Sequence, residues 1–179
     1  VFAANCEIYN WKEINERYDL KAKNDSELIL KLIMKFGEKN IKDALEEIDG
    51  VYSFSLQVNN NIYLARDILG IKPLWYSTNS GLSFASEKKA LEQMGLLNIF
   101  ELNPRNILVY DLKQKKISYI EREFFKISPV SKKNKEAHIK EIEKLLIKAI
   151  RKRVPDKKFG ILFSGGIDSV VIAFILKRL

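Results

Sequence analysis

The chain has 179 residues with a formal net charge of +8, and 46% of the residues are hydrophobic. This composition excludes a disordered chain, and no apolar run approaches the roughly 18 residues of a membrane span. A single cysteine and a single histidine exclude an internal disulfide and a zinc site and favour a cytoplasmic location. Lysines and glutamates alternate along the chain, so we expect a solvated surface and no nucleic-acid or membrane partner.

The first part of the chain predicts antiparallel hairpins mixed with short helices. Apolar periodicity indicates helices over residues 26–36 and 41–48, and a third from Ser86 or Glu87 to Met94. Asn24 or Asp25 is expected to cap the first helix, and Gly37 to end it. Alternating, β-branched or aromatic residues predict strands over residues 1–4, 51–58, 62–65, 74–77, 82–85, 107–110 and 117–120.

The second part begins after a polar stretch that contains Ser128-Pro129. This stretch predicts an inter-domain linker over residues 126–134, between one domain over residues 1–125 and another over residues 135–179. A long amphipathic helix is expected over residues 135–153.

The glycine-rich segment near the end of the chain predicts a phosphate site. Residues 159–163 are mostly apolar and predict a buried strand, which leads through Ser164-Gly165-Gly166 into a helix. Such a loop lets backbone N–H groups at a helix N-terminus approach an anion. The loop lacks the lysine of a Walker motif, so Asp168 either holds a neutralising Mg²⁺ or caps the helix. The alternative is an ordinary strand-to-helix turn.

Taken alone, the residues of the first part give no complete catalytic set. His138 lies on the polar side of a lysine-rich helix, where a surface role is expected. Cys6 has no neighbouring base in the sequence, so a small buried thiol is favoured over a nucleophile.

Four segments, in family order, resemble the glutamine-hydrolysing asparagine synthetases, and the likeness covers essentially the whole chain. The family patterns are NGEIYN, LARDxxGxKPLYY, FASEIKAL and SGGxDS. The matching segments here are Asn5-Cys6-Glu7-Ile8-Tyr9-Asn10, residues 64–76 (LARDILGIKPLWY), residues 84–91 (FASEKKAL) and Ser164-Gly165-Gly166-Ile167-Asp168-Ser169.

This resemblance implies an α+β Ntn-hydrolase-type sandwich, present in part, followed by the start of an α/β Rossmann-like ATP-pyrophosphatase domain. The implied reaction is glutamine-dependent asparagine synthesis, an ATP-dependent carbon–nitrogen ligation. Glutamine hydrolysis supplies ammonia to β-aspartyl-AMP formed from aspartate and ATP, and the products are asparagine, glutamate, AMP and pyrophosphate. ATP and Mg²⁺ are the implied cofactors, glutamine and aspartate the other substrates, and a homodimer is left open.

The resemblance also implies site residues. For glutamine, Asn5 and the backbone N–H of Cys6 would form the oxyanion hole, and Glu7 and Asp25 would hold the α-amino group. For ATP and pyrophosphate, the implied residues are Leu162, Ser164, Gly165, Gly166, Asp168 and Ser169, with Asp168 as the magnesium ligand.

Two departures from the family pattern keep alternatives open. The nucleophilic cysteine and an arginine that grips the glutamine carboxylate are expected upstream of Val1, and Cys6 replaces a glycine. A related enzyme with another product or an inactive glutaminase, similar to the β-lactam synthetases, is one alternative. A non-catalytic remnant is the other.

Overall fold

A computed structural model describes residues 1–79, 81–124, 133–155 and 157–179. The chain divides into two compact units, Val1–Phe125 and Lys126–Leu179. Most of the predicted linker, residues 126–132, lies outside the described residues. Within the described part of the chain, the helices are too short or too polar to cross a membrane.

The first unit is built on two antiparallel sheets. The larger has the strand order β1-β2-β3-β7-β8 and the smaller the order β5-β4-β6. The strands are β1 (Phe2–Ile8), β2 (Gly50–Val58), β3 (Asn61–Arg66), β4 (Trp75–Ser77), β5 (Ser83–Ala85), β6 (Phe100–Glu101), β7 (Asn106–Asp111) and β8 (Lys116–Glu121).

Helices cover one face of the larger sheet. They are α1 (Trp11–Arg17), α2 (Asp25–Phe36) and α3 (Ile41–Glu46). A fourth helix, α4 (Lys88–Gln93), lies in the chain between β5 and β6 of the smaller sheet. The apolar side of α2, predicted from its spacing, is fully buried against alternate residues of β2 such as Tyr52, Phe54 and Leu56. Burial of this continuous core supplies the main stabilisation of the unit.

The opposite face of the larger sheet packs on the smaller sheet. This second core is made of Leu64, Leu74, Leu102, Leu108 and Tyr110. The unit therefore has three layers, helices, sheet and sheet, which confirms the α+β sandwich expected from the sequence.

Several boundaries differ from those predicted. β1 continues to Ile8 rather than ending at Ala4, because its polar residues alternate with partly buried ones as an edge strand allows. The N-cap of α2 is Asn24, whose side chain accepts a hydrogen bond from the Glu27 N–H at 2.8 Å, so the alternative cap Asp25 was wrong. The two-residue strand β6 was not predicted, since it is too short to show a pattern.

In its described residues, the second unit has two helices, α5 (Lys135–Arg151) and α6 (Ile167–Arg178). The strand predicted over residues 159–163 is wrong: the segment forms no ladder, and its apolar side chains are exposed. A strand needs a neighbour to pair its backbone groups, and the described residues of this unit offer none. The helix predicted after the glycine loop is confirmed by α6.

Candidate functional site

The register of β1 leaves every second amide of this edge strand unpaired within the sheet. Gln57 and Val1 exchange hydrogen bonds of 2.8 and 3.2 Å, and the Tyr9 N–H donates to the Asp49 oxygen at 2.8 Å. Bonded and non-bonded pairs alternate in an antiparallel ladder, so the odd-numbered residues of β1 bond to β2. The N–H of Cys6 therefore points out of the open edge of the sheet.

The side chains predicted to bind glutamine lie on both sides of this amide. Asn5 and Glu7 are exposed on one face of β1, whereas the Cys6 side chain turns to the other face and packs against the helix-side core. The replacement of a glycine by Cys6 thus places no side chain on the face that carries Asn5 and Glu7.

The Cys6 thiol is unsuited to act as a nucleophile. Burial raises the pKa of Cys6 to about 11, the negative charge of Asp25 adds to this effect, and Ser26 and Lys72 oppose it. A thiol with this pKa is protonated at neutral pH. The structure agrees with the interpretation of Cys6 as a small, partly buried thiol.

Hydrogen bonds from backbone N–H groups hold the Asp25 side chain at the open edge of β1. One carboxylate oxygen accepts the Ile8 N–H at 3.2 Å, and the other accepts the Ser26 N–H at 2.8 Å. Asp25 occupies the first turn of α2, where the helix dipole favours a negative charge. The structure therefore brings Asp25 to the end of β1 that carries Cys6 and Glu7.

A cleft of about 280 Å³ opens beside Asn5 in the layer between the two sheets. The small side chains of Ala3, Ser53 and Ser55 leave this space on β1 and β2, where larger residues fill the same layer on β3 and β7. The cleft is lined by Ala3, Ala4, Asn5, Ser53, Phe54, Ser55, Leu74, Phe84, Ala85 and Ser86.

Two charged residues, Arg66 at the end of β3 and Asp67 directly after it, hold the loop that follows. No chemical role was predicted for either residue. Arg66 and Asp67 are each 3% exposed. The Arg66 guanidinium donates to the oxygens of Lys72 at 2.7 Å and Gly70 at 2.5 Å, and it pairs with Glu101 at 2.6 Å. Asp67 accepts the N–H groups of Ile71 and Lys72, both at 2.9 Å. The loop is thereby fixed against the sheet.

A third charged residue, Arg122, joins this network from the far end of the unit. Its guanidinium donates to the Arg66 oxygen at 2.7 Å and to the Tyr52 hydroxyl at 2.9 Å. No pattern in the sequence predicts this role, since Arg122 belongs to no motif and follows a strand of ordinary composition.

In the second unit, a glycine with a positive φ precedes an uncapped helix N-terminus. Gly165 has a φ of 79°, and Gly166 is the N-cap of α6 without a side-chain cap. The first N–H groups of α6 are therefore open to an acceptor. The Ser164 and Ser169 hydroxyls lie 3.2 Å apart at this end, so both can face the same ligand.

The remaining predicted ATP residues take different positions. Leu162 is fully exposed ahead of the loop. Asp168 lies in the first turn of α6, so it is not the N-cap. The described residues contain no cluster of three or more histidine, cysteine or acidic groups. A lone carboxylate fits Mg²⁺ that takes its other ligands from phosphate and water.

Comparisons with known proteins show the family to which the chain belongs. Residues 1–128 match the family model described as a glutamine amidotransferase domain, and residues 141–179 match the one described as asparagine synthase. The putative glutamine-hydrolysing asparagine synthetase 1 of Methanocaldococcus jannaschii is 32% identical over 94% of this chain and 34% of its own length. The glutamine-hydrolysing asparagine synthetase B of Escherichia coli K12 is 30% identical over 99% of this chain and 32% of its own.

The chain thus spans about a third of these relatives. Among solved structures, the glutamine phosphoribosylpyrophosphate amidotransferase of B. subtilis, in complex with ADP and GMP, superposes with a TM-score of 0.60. It is 21% identical, and the match covers 67% of this chain and 28% of that one. This likeness shows the fold of the sandwich.

Proposed function

We propose, because the chain belongs to the glutamine amidotransferase domain family, that its first unit binds glutamine and stabilises the oxyanion formed during hydrolysis. The observation that carries the proposal is the open edge of β1. There the free N–H of Cys6 lies between the exposed side chains of Asn5 and Glu7, and Asp25 is tied to the same edge.

Each group has a distinct task in the proposed reaction. A thiolate attacks the carboxamide carbon of glutamine, and the carbonyl oxygen becomes an anion. The Asn5 amide and the Cys6 N–H donate to this oxyanion, which strengthens both hydrogen bonds as charge develops. Collapse of the intermediate releases ammonia, and water then cleaves the thioester to give glutamate. The carboxylates of Glu7 and Asp25 hold the α-ammonium group of the substrate.

The attacking thiolate is not that of Cys6, whose raised pKa and core-facing side chain exclude it. We propose instead a cysteine at the N-terminus of the full-length protein as the nucleophile, as the family resemblance implies, with its own α-amino group as the base. The proposal therefore concerns the full-length protein.

For the full-length protein we propose asparagine synthesis with ATP and Mg²⁺. The match of residues 141–179 to asparagine synthase supports this assignment. The N–H groups at the start of α6, with Ser164 and Ser169, would cradle the pyrophosphate portion of ATP, and Asp168 would hold Mg²⁺ against it. Aspartate would be activated as its adenylate, and ammonia would displace AMP.

The test is pyrophosphate release by the full-length protein from Mg-ATP and aspartate, with glutamine or ammonium chloride as the nitrogen source. We expect release with both sources and asparagine as the product. Release with ammonium alone would refute the glutaminase assignment, and release with neither would refute asparagine synthesis. Turnover with another acceptor in place of aspartate would support the alternative product.

A further inference from the structure

A cavity of about 210 Å³ lies at the C-terminal end of α2. Its floor is apolar, because it is lined by Ile33, Ile41 and Leu56, each of which is at most 2% exposed. The exposed residues Met34 and Asn59 stand at its mouth. An apolar cavity of about 150 Å³ is large enough to bind benzene, so this one has room for a branched aliphatic group.

The cavity remains open because the residue that ends α2 has no side chain. Gly37 lines the cavity, and a β-carbon built on it would meet no atom within 4 Å. Its φ of 85° also disfavours any residue that carries a β-carbon. The backbone conformation that ends the helix therefore leaves this space unfilled, and α3 begins on its far side at Ile41.

A single carboxylate, that of Glu38 in the turn between α2 and α3, lies at one side of the cavity. The Tyr63 hydroxyl donates to one of its oxygens, and the Asn61 amide donates to the same oxygen at 2.8 Å. The other oxygen accepts from the Asn59 amide at 3.1 Å. The hydrogen bond from Tyr63, followed by that from Asn61, lowers the pKa of Glu38, so the carboxylate is charged at neutral pH.

Among the described residues, no cation forms an ion pair with Glu38. The three groups that donate to it are neutral. Because a carboxylate offers about four acceptor positions, the oxygen that Asn59 contacts has one position left. A charged carboxylate with a spare acceptor position beside an apolar cavity complements a ligand that carries an ammonium group on an apolar body.

We propose that this cavity binds a small apolar ammonium compound, with its apolar body on the floor and its ammonium group against the Glu38 carboxylate. The inference does not depend on the proposed glutaminase site. Asp25 is the first residue of α2 and Gly37 follows the last, so roughly 18 Å of helix separates the cavity from the glutamine edge.

The test uses three compounds with the same branched body, 3-methylbutylamine, 3-methylbutan-1-ol and L-leucine, titrated into the full-length protein in a calorimeter. The amine should bind, and the alcohol, which lacks the charge, should bind roughly 10- to 100-fold more weakly, as expected for a lost charged hydrogen bond. Leucine that binds as tightly as the amine would support the proposal with an amino acid as the ligand. Weaker binding of leucine would support it with an amine that lacks a carboxylate.

Two substitutions separate the charge of the cavity from its volume. Glu38→Gln keeps the shape of the side chain, and it should lower the affinity for 3-methylbutylamine roughly 10- to 100-fold, to that of the alcohol. Val58→Phe places a ring in the cavity from the end of β2 and should abolish binding of the amine. Glu46→Gln is the matched control, since Glu46 is an exposed glutamate in α3 that does not line the cavity, and it should leave the affinity unchanged.

The methyl signals of two methionines report where the amine binds. Met34 stands at the mouth of the cavity, whereas Met94 is an exposed methionine directly after α4. In NMR spectra of the full-length protein, the amine should shift the signal of Met34 and leave that of Met94 in place. An unshifted Met34 signal at saturating amine would refute the proposal, and so would equal affinities for the amine and the alcohol or equal losses in Glu38→Gln and Glu46→Gln.

A separate assay distinguishes this proposal from the proposed hydrolysis. Ammonia release from glutamine by Glu38→Gln should equal that of the unaltered protein, because the cavity lies at the other end of α2. Amine binding without any glutaminase activity would refute the hydrolysis alone. Glutaminase activity without amine binding would refute the cavity alone.

Discussion

The substitution Asp67→Asn tests whether the loop after β3 is held by one buried carboxylate. Asp67 is 3% exposed and accepts three backbone N–H groups, from Tyr52, Ile71 and Lys72. Asparagine has the same shape but only one acceptor oxygen, and its NH₂ group must face an N–H donor. If the carbonyl oxygen of the asparagine accepts from Tyr52 and Lys72, its NH₂ group faces the Ile71 N–H, which is left without an acceptor.

The expected cost is about 2 kcal/mol, since a hydrogen bond to a charged group contributes about 1.5–3 kcal/mol. Native-state hydrogen exchange of the full-length protein measures this cost locally. The amides of Ile71 and Lys72 should exchange roughly 30-fold faster, because 1.36 kcal/mol corresponds to a factor of ten. Exchange at the unaltered rate in Asp67→Asn would refute the role of the carboxylate.

Asp111→Asn provides the control. Asp111 also accepts two turn amides, those of Lys113 and Gln114, at 2.8 and 2.7 Å, but these bonds are exposed to solvent. Both bonds go to the same carboxylate oxygen, so the single carbonyl oxygen of an asparagine can keep them, and the cost of the lost charge should stay within about 0.5 kcal/mol. The amides of Ile71 and Lys72 should be unaffected. Faster exchange at Ile71 in this variant would show that a lost charge, not a lost acceptor, is the cause.

Three further predictions concern other parts of the chain. Because burial raises the pKa of Cys6 from 9.0 to about 11, its alkylation by iodoacetamide at pH 8 should be roughly 100-fold slower in the native protein than in the denatured one. Equal alkylation rates in the native and denatured protein would contradict this prediction. The stability that the protonated thiol contributes is present below pH 9 and should be lost between pH 9 and 11, which urea titrations at a series of pH values would show. Asn24→Ala removes the acceptor of the Glu27 N–H and should lower the unfolding free energy by about 1 kcal/mol, whereas Asn24→Asp should restore it. Gly165→Ala should weaken ATP binding more than Gly166→Ala in calorimetry, because only Gly165 has a positive φ and both sites have room for a methyl group; similar losses would argue against a backbone cause.

Local patterns in the sequence predicted most of the first unit. The apolar stripe of α2, a cap at Asn24 or Asp25 and the stop at Gly37 are all short-range signals. The structure confirms the stripe and the stop and selects Asn24 as the cap. The β2–β3 hairpin is likewise confirmed, since its alternation and its asparagine-rich turn act within a few residues of each other. A sequence pattern can therefore predict an element whose contacts lie within a few residues along the chain.

Two features that depend on distant partners were not predicted correctly. Residues 159–163 have a strand-like composition, but pairing needs a neighbouring strand, and composition does not tell whether one is there. The contact of Arg122 with Tyr52 joins residues 70 positions apart, and nothing in the sequence around either residue indicates the other.

The candidate site was predicted as residues but not as geometry. The resemblance named Asn5, Cys6, Glu7 and Asp25, and their roles remain predictions. The sequence could not show which residues of β1 hydrogen-bond to β2. This alternation directs the Cys6 N–H to the open edge of the sheet and the Cys6 side chain to the helix-side core. It depends on the register with β2, which is fixed only when the two strands pair.

The position of Arg122 has a consequence for the order in which this unit forms during synthesis. Arg122 lies after the last strand, yet its guanidinium closes on Arg66 and Tyr52 in the middle of the sheet. A ribosome-bound chain can therefore build β1, β2 and β3 early, but it completes the buried charge network only after β8 has emerged. Until then the end of β3 lacks the buried hydrogen bond from Arg122, so the loop that follows Arg66 should reach its final stability last, as the end of the unit leaves the exit tunnel. An excised amidotransferase unit must likewise retain Arg122 to keep this loop in place.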